Sequence, residues 1–109
     1  MTVRELSLAC DFKAICLADG DRTVKGAYAG DLLSWVMGRA SCDNAWITIM
    51  SNINIIAVAS LLDVSCVILS DGVTPDEEII RLAEEKGVNL LSATTPTFET
   101  AVKISEFIK

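Results

Sequence analysis

The chain has 109 residues, 51% of them hydrophobic and 6% aromatic, with 9 Lys+Arg against 15 Asp+Glu for a net charge of -6. That length supports one domain over residues 1–109 with one core, and it leaves no room for a catalytic domain beside a regulatory one. Histidine is absent, which excludes an imidazole base, a Ser-His pair or a His-ligated metal, and the acidic balance argues against nucleic acid and anionic bilayers as partners.

Thr2 followed three residues later by Glu5 is a capping-box signature and predicts a short helix to about Ala9. The first ten residues lack the basic, apolar and small-residue order of a secretory signal, so a cytoplasmic location is expected. Residues 12–17 read as a strand. Gly20-Asp21-Arg22 reads as a turn, a solvated hairpin tip by its polar make-up with Asp19 and Lys25 nearby. Residues 24–28 form a short extended segment. Asp31 is then expected as the N-cap, and Gly38 as the C-terminal glycine, of a helix over 32–37. Leu32, Leu33, Trp35, Val36 and Met37 cover most of the circumference of that helix, more than one buried face accounts for.

Residues 45–50 predict an apolar strand, and Ser51-Asn52 supplies cap chemistry for a helix over 53–62 so uniformly apolar that it must be covered on most sides. The uncharged stretch 45–62 holds Ser51, Asn52 and Asn54 at its centre and is flanked by Asp43 and Asp63, so it reads as strand, turn and helix rather than as a membrane span. Residues 65–69 predict a strand buried on both faces. Thr74-Pro75-Asp76-Glu77 combines an N-cap, proline at the first helical position and Glu at the third, and Gly87 closes that helix after Lys86. Residues 88–91 form a short strand, and Thr95-Pro96 opens a last helix with Ala101, Ile104 and Ile108 at helical spacing. Strand alternating with helix from residue 45 onward implies parallel pairing through right-handed crossovers. The expected fold is α/β, a mostly parallel sheet flanked by helices.

In such a sheet the loops at the carboxyl ends of the strands share one edge, where helix amino termini present unpaired N–H groups. Here those loops offer Ser51, Asn52 and Asn54, then Asp71 and Gly72, then Thr94 and Thr95. They predict a cradle for a small polar or nucleotide-like ligand, with Gly72 permitting close backbone approach. Asn52, Thr74 and Thr95 are equally the residue types that cap helices. Glycine-rich phosphate loops and the nucleophile-elbow order are missing, and no histidine stands ready to activate a serine or cysteine. No enzymatic activity, cofactor or metal is therefore expected. Cys10, Cys16, Cys42 and Cys66 are spaced too widely for a redox or zinc pair and read as small buried apolar residues. A positive mean hydropathy in so short a chain leaves apolar surface uncovered. The expectation is a homodimer through Leu32, Trp35, Val36 and Met37, with core packing of these residues as the alternative.

The segments 24–38 (VKGAYAGDLLSWVMG), 45–50 (AWITIM), 54–59 (NIIAVA), 67–73 (VILSDGV), 75–78 (PDEE) and 97–101 (TFETA) resemble, in this order, the opening, core and closing segments of the DRTGG domain family. The resemblance implies a fold like the amino-terminal domain of HPr kinase/phosphorylase. It also implies a regulatory or assembly module, since similar domains accompany phosphotransacetylases and CBS-domain pyrophosphatases. Stand-alone members beside iron-only hydrogenase genes imply a partner enzyme or regulatory protein in redox metabolism. Where many relatives carry an Asp-Arg pair or a histidine after the central strand, this chain has Ser51-Asn52. The Asp21-Arg22-Thr23 turn lies too early in the order to replace that pair, which weakens phosphate binding. Kinase activity is not implied, because the phosphate loop of the kinase domain has no counterpart. Two readings stand: a ligand sensor acting on a partner protein, and a ligand-free interaction module.

Overall fold

The hydroxyl of Thr2 accepts from the Glu5 N–H at 3.1 Å while the Glu5 carboxylate accepts from the Thr2 N–H at 2.8 Å, so the capping box read from the sequence is formed in full. From there the computed structural model, which describes residues 1–108, runs α1 (Val3–Ala9), β1 (Lys13–Cys16), β2 (Gly26–Ala29), α2 (Leu33–Arg39), β3 (Asn44–Thr48), α3 (Ile53–Leu62), β4 (Cys66–Leu69), α4 (Glu77–Lys86), β5 (Leu90–Ser92) and α5 (Thr97–Ser105). The strands form one sheet in the order β1-β5-β4-β3-β2. β2, β3, β4 and β5 are parallel, and β1 lies antiparallel on β5. The fold is α/β with a mostly parallel sheet, as expected from the alternation of elements.

Side chains alternate across each strand, and each face of the sheet has its own core. On one face, Trp46, Val67, Leu69 and Leu90 pack against Val36 of α2, Ile55, Ile56 and Ala59 of α3, and Ile79 and Ala83 of α4. On the other, Ala45, Ile47, Cys66, Ile68 and Leu91 meet Val3 and Leu6 of α1 and Ile104 of α5. β4 lies at the centre of the sheet and is buried along its whole length, which its β-branched composition anticipated. Among the described residues no helix is long and apolar enough to cross a membrane.

Several sequence expectations change. α2 begins at Leu33 with Leu32 in the cap position and no side-chain cap; it runs through Gly38 and ends at Arg39, with Ala40 as its C-cap. Asp31 is not its cap, because the Asp31 carboxylate is taken by β3. α4 is capped by Asp76, whose carboxylate accepts from the Ile79 N–H at 3.1 Å. Thr74 is not the cap, since the following proline keeps Thr74 extended and shifts the helix start to Glu77. Gly87 closes α4 with φ of +69° as read. α3 is not covered on most sides: Ile53 and Leu61 are exposed, because only α2 and α4 flank it on its face of the sheet. Cys10, Cys16 and Cys66 are buried, but Cys42 is exposed.

Candidate functional site

Parallel pairing brings the loops after β2, β3, β4 and β5 to one edge of the sheet. Asp31, just past β2, accepts through Oδ1 from the Thr48 hydroxyl at 2.7 Å and from the Ile49 N–H at 3.0 Å, which ties the β2 loop to the end of β3. Thr48 in turn accepts from the Met50 N–H at 3.2 Å. The buried Trp46 indole donates to the Gly30 carbonyl at 2.9 Å. In the next loop Asn52 caps α3, its Oδ1 accepting from Asn54 N–H at 3.0 Å and Ile55 N–H at 3.3 Å. Each is a local answer to backbone groups that a strand end or helix start leaves unpaired.

α4 and α5 leave the adjacent strands β4 and β5 for opposite faces of the sheet, the arrangement that opens a crevice in parallel sheets. Here hydrogen bonds draw the two loops together. Asp71 N–H donates to the Thr95 carbonyl at 2.8 Å, Gly72 N–H donates to the Ala93 carbonyl at 2.9 Å, and the Ser70 and Thr97 hydroxyls meet at 2.7 Å. Asp71 and Gly72 both adopt positive φ, +60° and +70°, and their amides face the loop that follows β5. A Cβ at Gly72 would meet no protein atom within 4 Å, so within the fold it is the dihedral that holds glycine there. Thr95 is not the cap of α5; its hydroxyl lies 2.7 Å from that of Thr100.

The residues singled out from the sequence thus occupy three neighbouring loops of one edge. Asn54, Asp71, Gly72 and Thr94 are exposed, and Ser51, Asn52 and Thr95 are half-buried. The loops at 30–32, 49–52, 70–76 and 93–96 contain Asp31, Asp71 and Asp76 and no Lys or Arg. Such an edge suits neutral hydrogen-bonding groups better than bare phosphates. Two open concavities lie beside it. One, of about 450 Å³, is formed by Tyr28, Ala29, Gly30, Asp31, Leu32 and Trp35. Another, of about 310 Å³, lies between α3 and α4, with Ile53, Leu82 and Arg81 on its walls. Sequence reasoning missed Asp31, Thr48, Ser70 and Thr97 as the residues that brace this edge. A Gly-Asp pair directly after an extended segment was the available signal for the first of them.

Of the expected interface, Leu32, Trp35 and Met37 are exposed, at 63%, 54% and 47%. Val36 is fully buried against α3 and the sheet, so it belongs to the core and is out of a partner's reach. The Arg39 guanidinium lies 3.8 Å from the centroid of the Trp35 ring, a cation–π contact that holds the exposed indole against its helix.

The opposite edge carries the densest charge cluster, and it overturns the reading of Arg22 as part of a solvated tip. Arg22 donates to Asp63 Oδ1 at 2.8 Å and to Asp43 Oδ1 at 3.0 Å, and it also bonds the Asp63 carbonyl. Its side chain is 22% exposed. Asp43 and Asp63 stand at positive φ, +65° and +59°. The Arg22 hydrogen bonds hold both carboxyls below the usual carboxylate range. The exposed Cys42 thiol lies 3.5 Å from Asp63 Oδ2. Partial desolvation, then the bond to Asp63 and the charges of both aspartates, push that thiol up.

A family model described as the DRTGG domain matches residues 33–107. Among solved structures, the chain is similar to the CBS and DRTGG domains of the regulatory region of Clostridium perfringens pyrophosphatase, complexed with its activator diadenosine tetraphosphate. The TM-score is 0.75 at 18% identity, over 94% of this chain and 45% of that one. This chain therefore spans less than half of that neighbour. No curated protein matches it in sequence.

Proposed function

The chain belongs to the DRTGG domain family, and from that premise we propose that it is a non-catalytic regulatory module. It binds a small polar, nucleotide-like ligand at the carboxyl edge of its sheet and acts, as a homodimer, on a partner protein. The observation that carries this reading is the braced edge itself. The backbone amides of Asp71 and Gly72 are committed to the carbonyls of Thr95 and Ala93 in the loop after β5, whereas the side chains of Asn54, Asp71 and Thr94 stand exposed around them. A rigid floor carrying free amide, hydroxyl and carboxylate groups is chemistry for reading a hydroxylated, hydrogen-bonding ligand. The similar fold of a regulatory region that binds a dinucleoside polyphosphate activator supports a nucleotide-like ligand. The acidic balance of this edge favours the nucleoside part over the phosphates.

Thermal unfolding against adenosine, ATP and diadenosine tetraphosphate tests the proposal. A ligand at about a hundred times its dissociation constant adds about 2.7 kcal/mol to stability, and Asn54→Leu or Thr94→Leu is expected to abolish that shift. A shift that survives both changes places the ligand elsewhere. The second reading is a ligand-free assembly module, favoured by the exposed Leu32, Trp35 and Phe98. It predicts no shift with any of the three compounds.

A further inference from the structure

β2 is the last strand of the sheet on its side, with β3 as its neighbour. The Gly30 N–H donates to the Ile47 carbonyl at 3.1 Å, and Ala29 stands in register with Ile47. Strand alternation then turns the backbone groups of Gly26, Tyr28 and Gly30 toward β3 and those of Ala27 and Ala29 away from the sheet. Exposed strand edges are ordinarily guarded by charge, proline or a bulge. The opposite edge strand, β1, has such guards in Lys13 and a break in register between Ala14 and Cys16. β2 and the Gly30 that follows it have none.

Gly26-Ala27-Tyr28-Ala29-Gly30 reads the same in both directions, with Lys25 before it and Asp31 after it. We infer that β2 pairs antiparallel with β2 of a second copy of this chain about a twofold axis at Tyr28, joining two sheets into one. Centred there, Ala27 lies opposite Ala29 of the second copy, so outward-facing backbone meets outward-facing backbone. A slip of one residue sets outward groups against inward ones and loses every bond. Beyond the strand, the same centre brings the end of β2 that carries Lys25, whose N–H turns back to the Asp43 carbonyl at 2.9 Å, toward the end that carries Asp31 in the second copy. That is charge complementarity of the self-matching kind a twofold interface requires. The Lys25 side chain is 71% exposed, and its contact with Asp43 is long, at 3.8 Å. Asp31 commits only Oδ1 to Thr48 and Ile49.

Apolar side chains flank this edge on both faces. Leu32 and Trp35 rise beside it on the α2 face. On the other face, Phe98 and Val102, 76% and 44% exposed, lie one turn apart on α5, the helix set against β2 and β3. Pairing of β2 with its copy brings each of these groups toward its own counterpart and covers them.

The inference deepens the dimeric part of the function proposed above and names its surface; ligand binding is read separately on the same samples. The test is the mass of the full chain in solution by sedimentation equilibrium. The chain is expected at twice the 11.7 kDa of one copy. Ala29→Pro, which removes an outward N–H without touching the β3 ladder, is expected at single mass with an unchanged circular dichroism spectrum. A second measurement fixes the register and stands if the proline variant fails to fold. In a Cys42→Ser background, Tyr28→Cys sets two thiols across the axis at a separation that suits a disulfide and cross-links on mild oxidation, whereas Ala27→Cys does not. A monomeric chain, a folded Ala29→Pro dimer, or cross-linking through Ala27→Cys and not Tyr28→Cys overturns the inference.

Discussion

Asn89 holds Asp19 by both ends of its amide: Oδ1 accepts from the Asp19 N–H at 2.8 Å, and Nδ2 donates to the Asp19 carbonyl at 2.8 Å. The same Nδ2 donates to the Ser65 carbonyl at 2.9 Å. With 2% of its surface exposed, this side chain satisfies three backbone groups between β1, β4 and β5. Asn89→Leu leaves them without this partner, the Ser65 carbonyl in a buried site and the Asp19 groups in a part-buried one. The expected cost is about 2 kcal/mol or more, read as a lower urea midpoint with an unchanged m-value.

The start of α4 separates two assignments of its cap. Asp76→Ala removes the acceptor for Ile79 N–H and is expected to cost about 1 kcal/mol. Thr74→Ala, one residue before Pro75 and outside the helix, is expected to leave the unfolding midpoint unchanged. An equal loss from both variants contradicts the observed cap.

Gly38 stands inside α2, where a Cβ meets no atom within 4 Å. Gly38→Ala is therefore expected to stabilise the fold by about 0.5–1 kcal/mol. Gly87→Ala, at φ of +69°, is expected to destabilise it by about 1 kcal/mol. Opposite signs in one thermal unfolding series confirm the pair of assignments, and a loss at Gly38 contradicts them.

These contrasts mark where sequence reading stops. The capping box of Thr2 and Glu5, the glycine end at Gly87 and the buried run at β4 were legible because each signal lies within a few residues of its effect. The carboxyl edge was legible to the level of loops, since alternation of strand and helix places 51–54, 71–74 and 93–95 together. What each side chain does there was not. Asp31 had the sequence of a helix cap and became a brace on Thr48, 17 residues away. Arg22 had the sequence of a solvated turn and found Asp63, 41 residues away. Both partners are set by the packing of strands, which no local pattern records.

The Arg22 cluster gives the fold a dependence on acid. The Asp43 and Asp63 carboxyls are held below their unfolded range by Arg22. The stability they contribute is fully present above about pH 4, the unfolded carboxylate range, and is lost as pH falls through the lower folded values. Arg22→Met is expected to lower the midpoint of thermal unfolding at pH 7 and to flatten its decline in acid. A variant that keeps the full decline below pH 4 shows that other carboxylates carry it.

Thiol labelling reads the core and the cluster together. Cys10, Cys16 and Cys66 are buried, and burial pushes the Cys66 thiol up to about 12. Native protein is expected to react with a thiol reagent at Cys42 alone. That reaction is slow at pH 7.5, because the surroundings of Cys42 hold its thiol protonated, and the thiolate is the reactive form. Asp63→Asn is expected to speed it. More than one labelled cysteine before unfolding contradicts the described core.

The most direct test of the ligand-binding edge is an amide NMR titration of the uniformly labelled full chain with adenosine, with diadenosine tetraphosphate in parallel. The account predicts saturable shifts concentrated at residues 51–54, 71–74 and 94–95, larger for Asn54 and Thr94 than for any residue of the Arg22 edge. Shifts confined to the groove between α3 and α4, or none with either compound, would contradict it.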